Sequence, residues 1–194
     1  MIISPKYKLI FVTTPKSGSH TGFKLMQTYF DANKTEFNHN RSIPAKYKNY
    51  DTFTFVRNPY ERFCALYFAC VINDKKRFVP IHARKSIEEY AEWYVSMKRM
   101  GRYIREDLTS PQTYWHRNTK IKNFIQIEEA QELFNIMYPE LNIRMPHELK
   151  RTHATWEDVA TDELSNLVSE WADNDFNHYG YYNENNYSTP PRLD

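Results

Sequence analysis

Lys8-Leu9-Ile10-Phe11-Val12-Thr13-Thr14-Pro15-Lys16-Ser17-Gly18-Ser19-His20-Thr21 is the stretch that sets the architecture. The run from Lys8 to Thr13 is short, apolar, aromatic and β-branched, which predicts a buried strand. Thr14-Pro15 ends it, and the small polar residues Lys16 to Ser19 follow as a loop. From His20 to Ala32, apolar residues fall at Phe23, Met26, Tyr29 and Phe30, which is helical spacing. Strand, small-residue loop and helix form the first half of a βαβ unit.

Working outward, Thr35-Glu36-Phe37 reads as a short second strand ending near His39. Asp51-Thr52-Phe53-Thr54-Phe55-Val56 alternates and is β-branched, so it reads as a strand stopped by Arg57-Asn58-Pro59. Proline suits a first helical position, and Tyr60 to Asn73 reads as a mostly buried helix. Ser86-Ile87-Glu88-Glu89 is a capping box opening a helix to about Met100, with Ile87, Tyr90, Tyr94 and Met97 on one face. Gly101 to Arg117 is irregular or partly helical. Asn123 to Ile127 is another strand, Glu128 to Met137 the helix after it, and Thr161 caps a last helix to about Asn174. Strands alternating with helices predict an α/β fold: a mainly parallel central sheet flanked by helices in three layers. The length predicts one domain over residues 1–182, with a loose tail over 183–194.

Composition narrows the chemistry. A net charge of +2 sets up no global field for a nucleic-acid partner, so any anion site must be local. The basic fragments Lys46-Tyr47-Lys48 and Lys75-Lys76-Arg77 read as solvated faces. No run of 18 apolar residues exists, so no membrane span is expected. Cys64 and Cys70 match no metal or redox spacing and read as buried thiols. With no signal-peptide core in Met1 to Lys6, they predict a cytoplasmic protein. Aromatic residues reach 16%, most of them expected to pack a core.

The first loop has the makings of an anion cradle. Gly18 permits close backbone approach, the helix start offers outward N–H groups and a partial positive charge, and Lys16 adds a full one. Ser17, Ser19 and Thr21 bring hydroxyls. This is not a Walker A loop, because Lys16 precedes Gly18 and no Gly-Lys-Ser/Thr follows. An ordinary capped helix start would have the same outline. Ligands in parallel α/β sheets sit at the carboxyl ends of strands, where Lys16 and Arg57 both fall. A phosphate cradle and a guanidinium on one rim suit the two separated phosphates of a nucleotide. Arg57 alone could equally pair with Glu61.

Thr14-Pro15-Lys16-Ser17-Gly18-Ser19 resembles the Pro-Lys-Ser-Gly-Thr loop of the sulfotransferases that use 3′-phosphoadenosine-5′-phosphosulfate (PAPS). Phe55-Val56-Arg57-Asn58-Pro59-Tyr60-Glu61-Arg62-Phe63 is similar to their second donor motif, in the form found in the carbohydrate-type branch and in small bacterial homologues. Asn123-Phe124-Ile125-Gln126-Ile127-Glu128-Glu129 and Asp175-Phe176-Asn177-His178-Tyr179-Gly180-Tyr181 are similar to two later segments, so the likeness runs from Leu9 to Tyr181. It implies a P-loop-like sulfotransferase fold. It implies transfer of a sulfonyl group from PAPS to a hydroxyl, of a carbohydrate on the second motif, releasing 3′-phosphoadenosine-5′-phosphate (PAP).

The donor residues so implied are Lys16, Ser17, Gly18, Ser19, His20 and Thr21 at the 5′ end and Arg57 at the 3′-phosphate. Lys16 would neutralise the leaving phosphate. His39 is the favoured general base, with His20, His116 or an acid as rivals, since histidine titrates near neutrality and His39 lies ahead of the strand leading to Arg57. Trp115 and His116 are expected to line the acceptor site. No metal is required. The chain departs from the family where a Ser usually lies eight residues after the motif arginine, because here that position is Ala65. The cytosolic branch's Arg-Lys-Gly motif is also absent, with Lys150 or Arg151 as stand-ins. The alternatives are a P-loop phosphotransferase, which needs a Gly-Lys-Ser/Thr loop and a magnesium-holding acid, and a non-catalytic nucleotide-binding homologue.

Overall fold

Threonine and phenylalanine alternate along Asp51–Val56, and that alternation divides the centre of the fold into two faces. The computed structural model describes residues 1–32, 43–72, 86–102, 110–117, 119–146 and 154–181. Among these, four strands form one sheet in the order β1 (Ile2–Ser4), β2 (Leu9–Phe11), β3 (Asp51–Val56) and β4 (Asn123–Gln126). β1 runs antiparallel to β2, while β2–β3 and β3–β4 are parallel. The mainly parallel α/β sheet expected from the sequence is therefore present. The antiparallel strand β1 has no counterpart in the sequence reading.

The chain divides into two compact units. The first comprises Met1–Arg57 and Trp115–Lys150, the second Asn58–Tyr114 and Arg151–Asp194. In the first, Phe11, Phe53, Phe55 and Ile125 share one face of the sheet with Phe23, Phe30, Ala130 and Phe134 of the helices α1 (Ser19–Tyr29) and α5 (Ala130–Met137) and the residue after α1. Phe11 packs against Phe53 and Phe55 with ring centroids 5.1 and 5.2 Å apart. Each such buried side chain is worth about 1.5–3 kcal/mol of transfer free energy. The other face is narrower and partly polar. Ile3, Ile10 and Val12 pack there with Tyr47 and Ile121, and Thr52 Oγ1 donates to the Lys120 carbonyl (3.0 Å) and accepts from Lys122 N (2.8 Å).

The second unit packs mainly through aromatic rings. Helix α2 (Pro59–Tyr67) continues as a π-helical turn, Phe68–Ile72, and α3 is Ile87–Arg99. Between α3 and the later helices lies α4 (Gln112–His116), whose last two residues belong to the first unit. Then come α6 (Trp156–Val159), α7 (Asp162–Trp171) and α8 (Asp173–Tyr179). Tyr60, Phe63, Tyr90, Tyr94, Trp171 and Phe176 form one buried cluster together with both free thiols, Cys64 and Cys70.

The Ser86 capping box is complete: Ser86 Oγ accepts from Glu89 N (3.1 Å) and Glu89 Oε2 accepts from Ser86 N (3.0 Å). Tyr90, Tyr94 and Met97 of its helix are buried as the spacing predicts. The helix predicted from Thr161 to about Asn174 is instead two, broken at Ala172. The helix predicted from Glu128 starts at Ala130. The strand expected at Thr35 to Phe37, the tail from 183, and the stand-ins Lys150 and Arg151 lie outside the described residues.

Candidate functional site

Parallel pairing of β2, β3 and β4 puts their carboxyl ends on one edge of the sheet. Three sequence motifs leave from that edge: the loop Thr14 to Gly18 after β2, Arg57 after β3, and Ile127-Glu128 after β4.

The loop is built by a few local bonds. Val12 N donates to the Phe53 carbonyl (2.8 Å), which extends the strand pairing to the loop's threshold. The Thr14 carbonyl then accepts twice, from Ser17 N at 3.3 Å and from Ser19 Oγ at 2.8 Å. Two residues take left-handed backbone, Lys16 at φ 65° and Gly18 at φ 85°. Gly18 adopts it without steric cost, and a Cβ there would lie 2.0 Å from Ile127 Cδ1, so that side-chain tip would have to shift. Lys16 is an L-residue in the same region, a conformation that costs roughly 1–2 kcal/mol. Strain of this kind persists where surrounding structure imposes it, often at ligand clamps.

α1 starts at Ser19 with no acidic residue in its first turn. No side chain of that first turn therefore opposes an anion at the positive end of the helix. Ser17 and Ser19 are buried, Lys16, Gly18 and Thr21 half-buried and His20 exposed. Behind the loop, α1 sits close on β2: a Cβ at Gly22 would stand 2.2 Å from two ring carbons of Phe11.

Arg57 is half-buried immediately past β3. The next residues begin α2 as the sequence indicates. Asn58 Oδ1 accepts from Tyr60 N (3.0 Å), with Pro59 at the first turn. Ala65, at the family's usual serine position, is buried in that helix. Glu61 Oε1 accepts from Trp156 N at 3.3 Å.

Trp115 and His116 are buried and bonded to the residues just ahead of the loop. Trp115 Nε1 donates to the Thr13 carbonyl at 3.2 Å, and His116 Nε2 lies 2.6 Å from Thr14 Oγ1. Thr14 Oγ1 is also 2.9 Å from Thr54 Oγ1 of β3. Sequence reasoning did not single out Thr14 or Thr54. The available signal was the threonine face of β3, where polar residues alternate with Phe53 and Phe55. His39 lies outside the described residues.

In the second unit, Asp175 of the closing motif is fully buried. It accepts from Gln112 N (2.7 Å), Thr113 N (2.8 Å) and Thr113 Oγ1 (2.8 Å). It thus caps α4 from a distant part of the chain. The same unit buries Arg62, whose Nη1 donates to the Ser110 carbonyl at 3.1 Å. Burial pulls the Arg62 pKa down, and the nearby Asp175 charge pushes it back up. Among the described residues no group of three His, Cys, Asp or Glu side chains is placed to hold a metal, and no helix is long and apolar enough to cross a membrane.

Compared with known families, residues 1–182 match the model of the sulfotransferase family. No curated protein and no solved structure matches the chain.

Proposed function

The chain belongs to the sulfotransferase family, whose enzymes are PAPS-dependent, and on that premise we propose that it transfers the sulfonyl group of PAPS to a carbohydrate hydroxyl from a donor site on the carboxyl edge of its sheet. One observation carries the placement: the loop with left-handed Gly18 and the residue Arg57 leave adjacent parallel strands on the same edge. Lys16, Ser17, Gly18, Ser19, His20 and Thr21 hold the 5′-phosphosulfate, and Arg57 holds the 3′-phosphate. The carbohydrate acceptor rests on the form of the Arg57 motif.

In the transfer, the acceptor oxygen forms a bond to sulfur and the bond from sulfur to the phosphate oxygen breaks. The acceptor's proton goes to a general base, for which His39 is the candidate. Negative charge grows on the departing phosphate, where Lys16 and the N–H groups at the start of α1 neutralise it. The protein's contribution is thus alignment and electrostatics, as in phosphoryl transfer.

Calorimetric titration of PAP into wild type, Lys16→Ala and Arg57→Ala tests the donor site. Weaker binding in both variants supports it, and unchanged affinity would sink it. A labelled-donor assay across glycans, phenols and peptides tests the acceptor, with transfer to phenols but no glycan overturning the carbohydrate reading. His39→Ala should lower turnover about 10²-fold while PAP still binds; near-normal turnover would remove His39 as the base.

A further inference from the structure

The reading of the donor loop gives no role to three buried polar side chains, one of which, His116, the sequence assigns to the acceptor site. Thr14, Thr54 and His116 lie behind the loop, each no more than 6% exposed. Thr14 Oγ1 stands at the centre, 2.6 Å from His116 Nε2 and 2.9 Å from Thr54 Oγ1. Burying polar atoms in this way is costly unless each is hydrogen-bonded, and here the bonding closes in either proton arrangement. With Nε2 as acceptor, the Thr14 hydroxyl donates to His116 and the Thr54 hydroxyl donates to Thr14. With Nε2–H as donor, Thr14 donates to Thr54, and Thr54 donates to the Phe55 carbonyl at 3.4 Å.

The opposite end of the same residue shapes the loop. The Thr14 carbonyl accepts from Ser17 N and from Ser19 Oγ, so it sets both the turn and the first residue of α1. The side-chain bonds anchor Thr14 at the strand end, and its carbonyl, bonded to Ser17 and Ser19, carries that anchorage into the turn. The neighbouring Trp115 holds the preceding carbonyl, that of Thr13, at 3.2 Å. Trp115 and His116 therefore grip the two residues from which the loop departs. The His116 ring is itself braced by Phe124 on β4, with centroids 5.3 Å apart.

We infer that His116 is a positioning residue for the donor loop, acting through Thr14 to hold the Ser17 and Ser19 turn in its binding shape. This rests on the reading of that loop as the donor site. An imidazole that only fills space would matter to stability and not to the donor, and the two roles separate experimentally.

The experiment titrates PAP by calorimetry into wild type, His116→Phe, His116→Gln, Thr14→Val and the double variant Thr14→Val/His116→Phe, with folding checked by thermal unfolding. Phe keeps the ring's shape and loses the polar nitrogen, whereas Gln can return a polar atom to Thr14. His116→Phe and Thr14→Val should each weaken PAP about tenfold, and His116→Gln should come back to within about threefold of wild type. The double variant should bind no more weakly than either single one, because both remove the same bond. In turnover, the donor KM should rise while the acceptor KM holds. If His116→Phe does not fold, His116→Gln and Thr14→Val carry the test by the donor-against-acceptor KM split. Wild-type PAP affinity in folded His116→Phe overturns the inference and leaves the donor site standing, as does a shift confined to the acceptor KM. Failure of wild type itself to bind PAP sinks the donor reading, and this inference with it.

Discussion

The carboxylate of Asp175 accepts two bonds from Thr113, one from its backbone N–H and one from its hydroxyl, both at 2.8 Å. A helix of only five residues, Gln112–His116, is thereby capped by a side chain 62 positions further along the chain. Backbone N–H groups at a helix start are unsatisfied without such a partner. Asp175→Ala should orphan them and also remove the charge that offsets buried Arg62. The loss should be about 3 kcal/mol, read from chemical denaturation. A loss under about 1 kcal/mol would show that neighbouring groups re-satisfy those donors.

A pH dependence follows from the pair that joins α3 to α7. Arg99 Nε and Nη2 donate to Glu170 Oε1 and Oε2 at 2.6 and 2.7 Å. The bond to Arg99 lowers the Glu170 pKa from its ordinary 4.5. The folded state then binds the proton less readily than the unfolded state, so the pair stabilises the fold above that ordinary value and ceases to do so as pH falls through the lower folded one. Urea midpoints of wild type and Glu170→Gln should differ most near neutral pH and converge once the pH has fallen through the lowered folded pKa of Glu170. Because the Arg99 side chain is 68% exposed, salt should narrow the gap as well. A gap that persists in acid would assign the effect to the hydrogen bonding of the head group and not to its charge.

Much of this fold is legible locally. Asp51–Val56 reads as a strand from its own alternation, and Ser86 with Glu89 announces the start of α3. The rim placement of the first loop and Arg57 follows from strand-loop-helix order. What was illegible depends on distant partners. Nothing near Ala172 foretells a break there. The helix ends and restarts where Asp175, three residues on, is turned towards Gln112 and Thr113. Likewise the buried Thr14 hydroxyl finds its imidazole 102 positions away. Ile2–Ser4 is too short for any period to mark it as a strand. The helix Trp156–Val159 has its start marked in plain sequence, by Thr155 and Asp158 at capping-box spacing.

Two glycines of the same segment should respond differently to alanine. Gly18 has φ 85°, so Gly18→Ala forces an L-residue into left-handed backbone at about 1–2 kcal/mol. Its new Cβ would meet the Ile127 Cδ1 methyl, a side-chain tip that can turn away. Gly22→Ala instead drives a Cβ into the buried Phe11 ring, which has no such freedom, and overpacking of this kind costs about 1–3 kcal/mol. In the folded fraction, Gly18→Ala should lose PAP affinity because it reshapes the cradle, and Gly22→Ala should keep it. Equal PAP affinity in both would mean that the loop backbone does not touch the donor.

The strained backbone at Lys16 allows its charge and its conformation to be tested apart. Alanine and glycine both delete the ammonium group, but only glycine accepts φ 65° without steric cost. Lys16→Gly should therefore be more stable than Lys16→Ala by about 1 kcal/mol, measured as a difference in denaturation free energy. Both should bind PAP more weakly than wild type by about tenfold or more, since each loses a charge-assisted contact to phosphate. If Lys16→Gly bound like wild type while Lys16→Ala did not, backbone shape alone would make the cradle and the lysine charge would have no part in holding the donor. If the two were equally stable, residue 16 would not be held in left-handed backbone by its surroundings.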